Sequence, residues 1–132
     1  NEMSDIIYAQ TGQRPKLIRF PGGSSNTVSL KYCSGIMTTL TKAVTDQGYK
    51  YFDWNVSSGD AAGTPASSGR IYSAVTSALR HGRSNVVLMH DAATKSTTAD
   101  ALPDIIQYCL ANGYSIQAIT PATKPVHHGI AN

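Results

Sequence analysis

Apolar and polar residues follow one another along the chain in blocks that predict four rounds of a helix followed by a strand. The predicted helices run up to Gln10, from a cap within residues 25–27 to Gly48, over Arg70–His81 and over Ala99–Asn112. The predicted strands are Lys16–Phe20, Tyr49–Val56, Asn85–Asp91 and Tyr114–Ile119. Strand centres about 30–35 residues apart are typical of βα units that pair in parallel, so an α/β fold is expected.

Each predicted helix has an apolar face at near-helical spacing. In the second helix, Gly35 is expected to kink the helix or to split it. The residues expected to face the core are Met3, Ile6 and Ile7; Val28, Ile36, Leu40 and Val44; Ile71, Val75, Ala78 and Leu79; and Leu102, Ile105, Ile106, Cys109 and Leu110.

The third predicted strand has a continuous apolar run, 86–89, which indicates a strand buried on both faces. It places His90 at its C-terminal end, where parallel sheets build their active sites. The alternative is a histidine that caps the strand with a single hydrogen bond. Ser57–Gly69, which contains Asp60, is long for a simple connection and is therefore a candidate functional loop.

Composition limits the class of protein. The chain has 132 residues, about half of the ~250 that a complete barrel of strands and helices uses. A net charge of +3 suits acidic polymers such as cell-wall material, but the basic residues are scattered, so no nucleic-acid partner is expected. No apolar run of about 20 residues predicts a membrane span. Cys33 and Cys109 are expected to be buried free thiols within helices; the alternative is a disulfide, which would require their Cα atoms to lie within about 7 Å.

Three motifs lie at the ends of consecutive predicted strands: RFPGGS at 19–24, WNVSSGD at 54–60 and LMH at 88–90. In this order and spacing they resemble motifs of the polysaccharide deacetylases, the NodB-homology carbohydrate esterases. The resemblance extends to the ending GYSIQAIT. It implies a distorted (β/α) barrel of parallel strands, of which residues 1–132 are the C-terminal portion and whose first strands are absent from this chain. It also implies removal of acetyl groups from a polysaccharide, such as the N-acetylglucosamine of peptidoglycan or chitin, or acetylated xylan.

The resemblance implies a catalytic role for three residues. His90 matches the general acid, which protonates the leaving amine, and Asp60 matches the carboxylate that orients its ring. Arg19 matches the arginine that pairs with the catalytic base. The structural alternatives are a solvated loop residue for Asp60 and an ordinary ion pair for Arg19.

Further matches concern the substrate. Gly22 matches the residue whose backbone N–H binds the oxyanion, although a Pro-Gly-Gly turn can also be only a turn. Leu88 matches the leucine that lines the pocket for the acetyl methyl, or it is strand core. Trp54 is expected either in the sugar-binding wall or in the core. Asp53 is expected to be structural, and Ala61 stands where most family members have tryptophan.

The family motifs that supply the base and the metal ligands, an Asp-Asp pair and an H-x-x-x-H-like pair, are not in this sequence. A divalent metal (zinc, cobalt or nickel) is therefore expected in the complete domain and not in this chain alone, which is expected to be inactive. His127 and His128 are adjacent and are not expected to chelate one ion, so a surface tail or a packing contact is expected there.

The expected partners are a polysaccharide, the missing N-terminal segment and, through an open sheet edge, further copies of the chain. The expected location is extracellular or cell-wall associated in a bacterium. Two alternatives stay open: a non-catalytic carbohydrate-binding relative, and a small doubly wound nucleotide-binding or signalling domain, which would lack a phosphate loop.

Overall fold

A computed structural model describes residues 2–62 and 64–132, which form four α-helices and four short strands in parallel pairs. This confirms the α/β class. In chain order the elements are α1 Glu2–Thr11, β1 Leu17–Ile18, a 3-10 helix Val28–Lys31, α2 Ile36–Asp46, β2 Lys50–Tyr51, β3 Val56–Ser57, α3 Ser68–Ala78, β4 Val87–Leu88 and α4 Ser96–Ala111. The chain divides into two compact units: one runs up to Asp53 and includes Ile119–Asn132, and the other is Trp54–Ala118.

In the first unit, β1 pairs with β2 in parallel, with Leu17 opposite Lys50. The predicted second helix is split at Gly35, whose φ of 77° ends the preceding turn and begins α2. Glycine accepts this left-handed conformation without steric cost. Asn132 closes the start of α2, because its side-chain Oδ1 accepts a hydrogen bond from the Gly35 N–H at 2.7 Å.

The helix faces predicted for the first unit are partly wrong. In α2 the buried residues are Met37 and Thr41, four positions apart, whereas Val28 and Leu40 are 64% and 38% exposed. The break at Gly35 restarts the helix, so the periodic pattern does not continue across it. In α1 Ser4 is buried, whereas Met3 and Ile6, which were expected to face the core, are 66% and 50% exposed, and Ile7 is only partly buried.

The second unit contains the main apolar core, in which α3 packs against both α4 and β3. The face predicted for α3 is confirmed, with Ile71 and Val75 fully buried. The α4 face is shifted from the prediction: it buries Thr98, Ala101, Ile105 and Cys109, and leaves Leu102, Ile106 and Leu110 exposed. The core cluster consists of Val56, Ala66, Ile71, Val75, Leu79, Ala101, Ile105 and Cys109.

Two strand predictions are wrong. The predicted strand Tyr49–Val56 is two strands, β2 and β3, which belong to different sheets. Between them the Asp53 N–H donates to the Val126 carbonyl, which interrupts any continuous ladder. Residues 114–119 form no strand in the described part of the chain, because their alternating pattern finds no strand to pair with. Periodicity predicts an extended segment, but a strand also needs a partner.

Two burial predictions are also wrong. Val87, Leu88 and Met89 are only partly buried, because β4 pairs with β3 alone among the described residues. Cys33 is exposed and lies between the 3-10 helix and α2, whereas Cys109 is buried in α4; both are free thiols. None of the helices in ranges 2–62 and 64–132 has the length and apolar character that crossing a membrane requires.

Candidate active site

The parallel pairing of β3 with β4 brings Asp60 and His90 together. Ser57 lies opposite Leu88, so the residues that follow both strands leave the sheet at the same edge. Asp60 Oδ1 lies 2.7 Å from His90 Nδ1, and the His90 backbone N–H donates to Asp60 Oδ2 at 2.8 Å. The contact predicted from the strand ends is therefore present. It excludes both the solvated-loop alternative for Asp60 and the single-bond alternative for His90.

Asp60 is held by more than its histidine. Its side chain is buried, and its Oδ2 also accepts a hydrogen bond from the Thr98 hydroxyl at 2.9 Å. The Asp60 N–H donates to Ser58 Oγ at 3.4 Å, and Lys95 Nζ donates to the Asp60 carbonyl at 2.5 Å. Both the carboxylate and the backbone of Asp60 are thus fixed.

These contacts set the charge of Asp60. Burial by itself raises the pKa, but hydrogen bonds from His90, Ser58 and Thr98 outweigh it and lower the pKa from 3.8 to about 2. Asp60 is therefore ionised at neutral pH. An ionised carboxylate on Nδ1 keeps the proton there and fixes the tautomer and orientation of the ring. With about a third of its side chain exposed, His90 can present Nε2 to a substrate.

The local sequence explains how Asp60 reaches this position. Gly59 has a φ of 71°, which turns the chain after β3. Thr98, which sequence reasoning missed, lies in the first turn of α4 and on its buried face. The available signal was a polar residue that continues the i, i+3 and i+7 series of Ala101 and Ile105. Lys95, directly before α4, gave no such signal.

The roles of Leu88 and Trp54 stay predictions. Leu88 is partly buried within β4, and Trp54 is partly buried at the start of the second unit. Both burial levels are compatible with packing and with ligand contact, so they leave both alternatives open.

Arg19 and Gly22 belong to the first unit, and their roles also stay predictions. Arg19 is exposed, and its Nη1 donates to the Phe20 carbonyl at 3.2 Å. Gly22 has a φ of 71°, and a Cβ at this position would lie 3.2 Å from the Asn26 side chain. The Asn26 amide in turn donates to the Pro21 carbonyl at 3.0 Å. The Pro-Gly-Gly turn is therefore well defined and has a steric requirement for glycine.

The two C-terminal histidines make packing contacts, which was one of the two expectations for them. His127 stacks on Tyr51 with ring centroids 3.9 Å apart, and His128 Nδ1 lies 3.1 Å from Ser25 Oγ. Among the described residues no group of three or more histidine, cysteine, aspartate or glutamate side chains could hold a metal ion. The donor set of the described residues therefore does not fit the divalent metal that the resemblance implies.

The solved structures that are similar to this chain include a deacetylase domain and a carbohydrate esterase. The catalytic domain of peptidoglycan N-acetylglucosamine deacetylase from Eubacterium rectale ATCC 33656 matches with a TM-score of 0.94 and 46% identity over 99% of this chain. The family 4 carbohydrate esterase from Streptomyces lividans, solved in complex with acetate, matches with a TM-score of 0.68 and 30% identity over 94% of this chain.

A sequence relative agrees with them. The Bacillus subtilis (strain 168) protein YheN, whose assignment as a polysaccharide deacetylase is itself provisional, is 27% identical over 132 residues and 96% of this chain. No family model matches the chain. The chain spans 59% of the Eubacterium rectale chain, 56% of the Streptomyces lividans chain and 42% of YheN. The comparisons nevertheless agree with the three motifs, and they confirm that this chain resembles the polysaccharide deacetylases, the family 4 carbohydrate esterases, over nearly its whole length.

Proposed function

We propose that this chain supplies the general acid of a polysaccharide deacetylase that removes N-acetyl groups from an amino-sugar polymer. The observation that carries this proposal is the buried, ionised Asp60 carboxylate on Nδ1 of a partly exposed His90. The similarity to a peptidoglycan N-acetylglucosamine deacetylase favours N-acetylglucosamine as the substrate unit.

The chemistry explains why such a pair is needed. When water adds to the acetamide carbonyl, the carbon–nitrogen bond breaks only if the departing nitrogen receives a proton. Protonated His90 donates its Nε2 proton to that nitrogen, which leaves a free amine and acetate. Asp60 stabilises the imidazolium that makes this donation and holds its ring in place.

Residues outside the Asp60–His90 pair complete the proposal by resemblance. The Gly22 N–H would donate to the oxyanion, Arg19 would pair with the base, and Leu88 and Trp54 would contact the acetyl methyl and the sugar. The ligands of a divalent metal (zinc, cobalt or nickel) and the catalytic base would be residues outside this chain. Residues 1–132 would be the C-terminal portion of a distorted barrel that works at the bacterial cell wall, and an exposed sheet edge would favour self-association.

A hybrid domain tests the proposal. In it, this chain replaces the matching 59% of the Eubacterium rectale catalytic domain, to which it is 46% identical. Acetate release from an N-acetylglucosamine oligomer is measured together with the metal content of the protein. His90→Ala should lower kcat by about 10²–10⁴-fold, the usual contribution of a positioned proton donor, and should leave the metal content unchanged. His81→Ala is the matched control, because His81 is exposed and stacks on Tyr114.

Three outcomes would contradict the proposal. A folded hybrid that binds the oligomer without releasing acetate would favour a carbohydrate-binding relative. Loss of metal in His90→Ala would make His90 a ligand. Finally, one equivalent of metal together with acetate release by this chain alone would show that the chain carries a metal site of its own.

A further inference from the structure

Asp53 is a second buried carboxylate, and it lies in the first unit. Its side chain is fully buried and accepts three hydrogen bonds: from the Ser24 N–H at 2.7 Å, from the Ser24 hydroxyl at 2.5 Å and from the His128 N–H at 2.8 Å. Ser24 is the last residue of the RFPGGS motif, two positions after Gly22. The Asp53 carboxylate therefore joins the turn of this motif to the C-terminal segment 123–128.

The charge of Asp53 matters to this junction. Burial by itself raises its pKa, but the hydrogen bonds from Ser24 and His128 outweigh burial and hold the pKa below its ordinary value. An ionised carboxylate can only accept hydrogen bonds, and all three donors need an acceptor. An asparagine amide would present an N–H₂ group to at least one of these donors.

Other contacts brace the same junction from the C-terminal side. The Asp53 N–H donates to the Val126 carbonyl at 2.8 Å, and Lys50 Nζ donates to the Thr123 carbonyl at 2.7 Å. His128 Nδ1 lies 3.1 Å from Ser25 Oγ, which adds a second link between the turn and this segment. These contacts hold segment 123–128 against β2 and the residues that follow it. Asp53 holds the turn in place, because its carboxylate accepts hydrogen bonds from both Ser24 and His128.

We infer that Asp53 is a positioning residue that fixes the direction of the Gly22 N–H for the oxyanion. This inference rests on the proposed function. The turn reaches Asp53 through Ser24, and its other end is closed by the Gly23 N–H, which donates to the Phe20 carbonyl at 2.8 Å. Gly22 lies between these two anchors. Oxyanion donors act only when they point at the position where the charge develops. Without the hydrogen bonds to Asp53, the turn would no longer hold the Gly22 N–H in that direction.

The first test needs no enzyme activity. Amide NMR resonances are assigned for this chain and for its Asp53→Asn variant. The Ser24 and His128 resonances should shift, because their acceptor is changed, and the Gly22 resonance should shift with them. Asp46→Asn is the matched control, since Asp46 is exposed in the same unit and pairs with Lys42; it should leave Gly22 unchanged. An unchanged Gly22 resonance in Asp53→Asn overturns the inference.

The second test uses the hybrid domain. Asp53→Asn should lower kcat by about 10–10²-fold and change KM by less than about twofold, since a displaced catalytic donor can cost up to about 10²-fold in rate. A purely stabilising role would leave kcat of the folded enzyme unchanged and would overturn the inference. Ser24→Ala keeps the Ser24 N–H bond but loses the hydroxyl bond, so it should show a smaller loss. It decides the question if Asp53→Asn does not fold.

The two proposals fail in different ways. If the unmodified hybrid releases no acetate, the proposed function fails. The response of the Gly22 resonance then still shows whether Asp53 fixes the turn.

Discussion

Asp60→Asn should selectively weaken this chain above about pH 4. A carboxylate whose pKa is lower in the folded state stabilises that state fully above its unfolded pKa, and the stabilisation is lost as the pH falls through the folded pKa. For Asp60 these values are 3.8 and about 2. The stabilisation is thus complete at pH 5 and declines between these two values.

The magnitude follows from the same two values. Each tenfold change in proton affinity corresponds to about 1.4 kcal/mol, so Asp60 contributes on the order of 2 kcal/mol at pH 5. Roughly half of this contribution should be lost by about pH 3. The uncharged amide that Asp60→Asn introduces does not titrate, so the variant should lack this part of the pH dependence.

Trp54 provides the assay. It is the only tryptophan in the sequence and lies in the same unit as Asp60, so its fluorescence reports unfolding of that unit. Urea unfolding is measured at several pH values from 5 to 3 for the parent chain, for Asp60→Asn and for Asp46→Asn. Asp46 makes an exposed (i, i+4) pair with Lys42, which is worth only a few tenths of a kcal/mol.

Other carboxylates titrate in this range, so the deciding quantity is the difference in unfolding free energy between parent and variant. That difference should shrink by roughly 1 kcal/mol from pH 5 to pH 3 for Asp60→Asn, whereas the difference for Asp46→Asn should be small at every pH because its ion pair is exposed. A constant difference for Asp60→Asn would show that the hydrogen bonds of Asp60 do not lower its pKa in solution.

Three further predictions concern the core, the support of Asp60 and the turn. Ile71→Ala should lower the unfolding free energy by about 2–5 kcal/mol, measured by urea unfolding, because the side chain is fully buried. Thr98→Val removes one donor to the Asp60 carboxylate and should cost about 1 kcal/mol; it should also raise the pKa of that carboxyl, as NMR titration can measure. Gly22→Ala should destabilise the chain more than Gly12→Ala in the same assay, since both have φ near 70° but an added Cβ meets a neighbouring side chain only at Gly22.

Local sequence determined the helices well and the strands poorly. The helix that buries Ile71 and Val75 was predicted because its apolar residues recur at near-helical spacing within one continuous helix. The prediction of one strand over 49–56 was wrong, because apolar and aromatic composition does not specify which partner a strand pairs with. Pairing with different partners divides this segment into β2 and β3. The shifted face of α4 has a similar cause. Several of its residues are apolar, and packing against α3 decides which of them are buried.

The sequence by itself predicted the contact between Asp60 and His90. The order of RFPGGS, WNVSSGD and LMH was enough to predict that Asp60 meets His90, because parallel strands deliver their C-terminal ends to one edge. Only the tertiary structure decided what holds those residues. The Thr98 hydroxyl donates a hydrogen bond to Asp60, 38 positions away, and the His128 N–H donates one to Asp53, 75 positions away. Such donors are selected by packing in three dimensions, and a linear pattern carries no record of which distant N–H or O–H a buried carboxylate will meet.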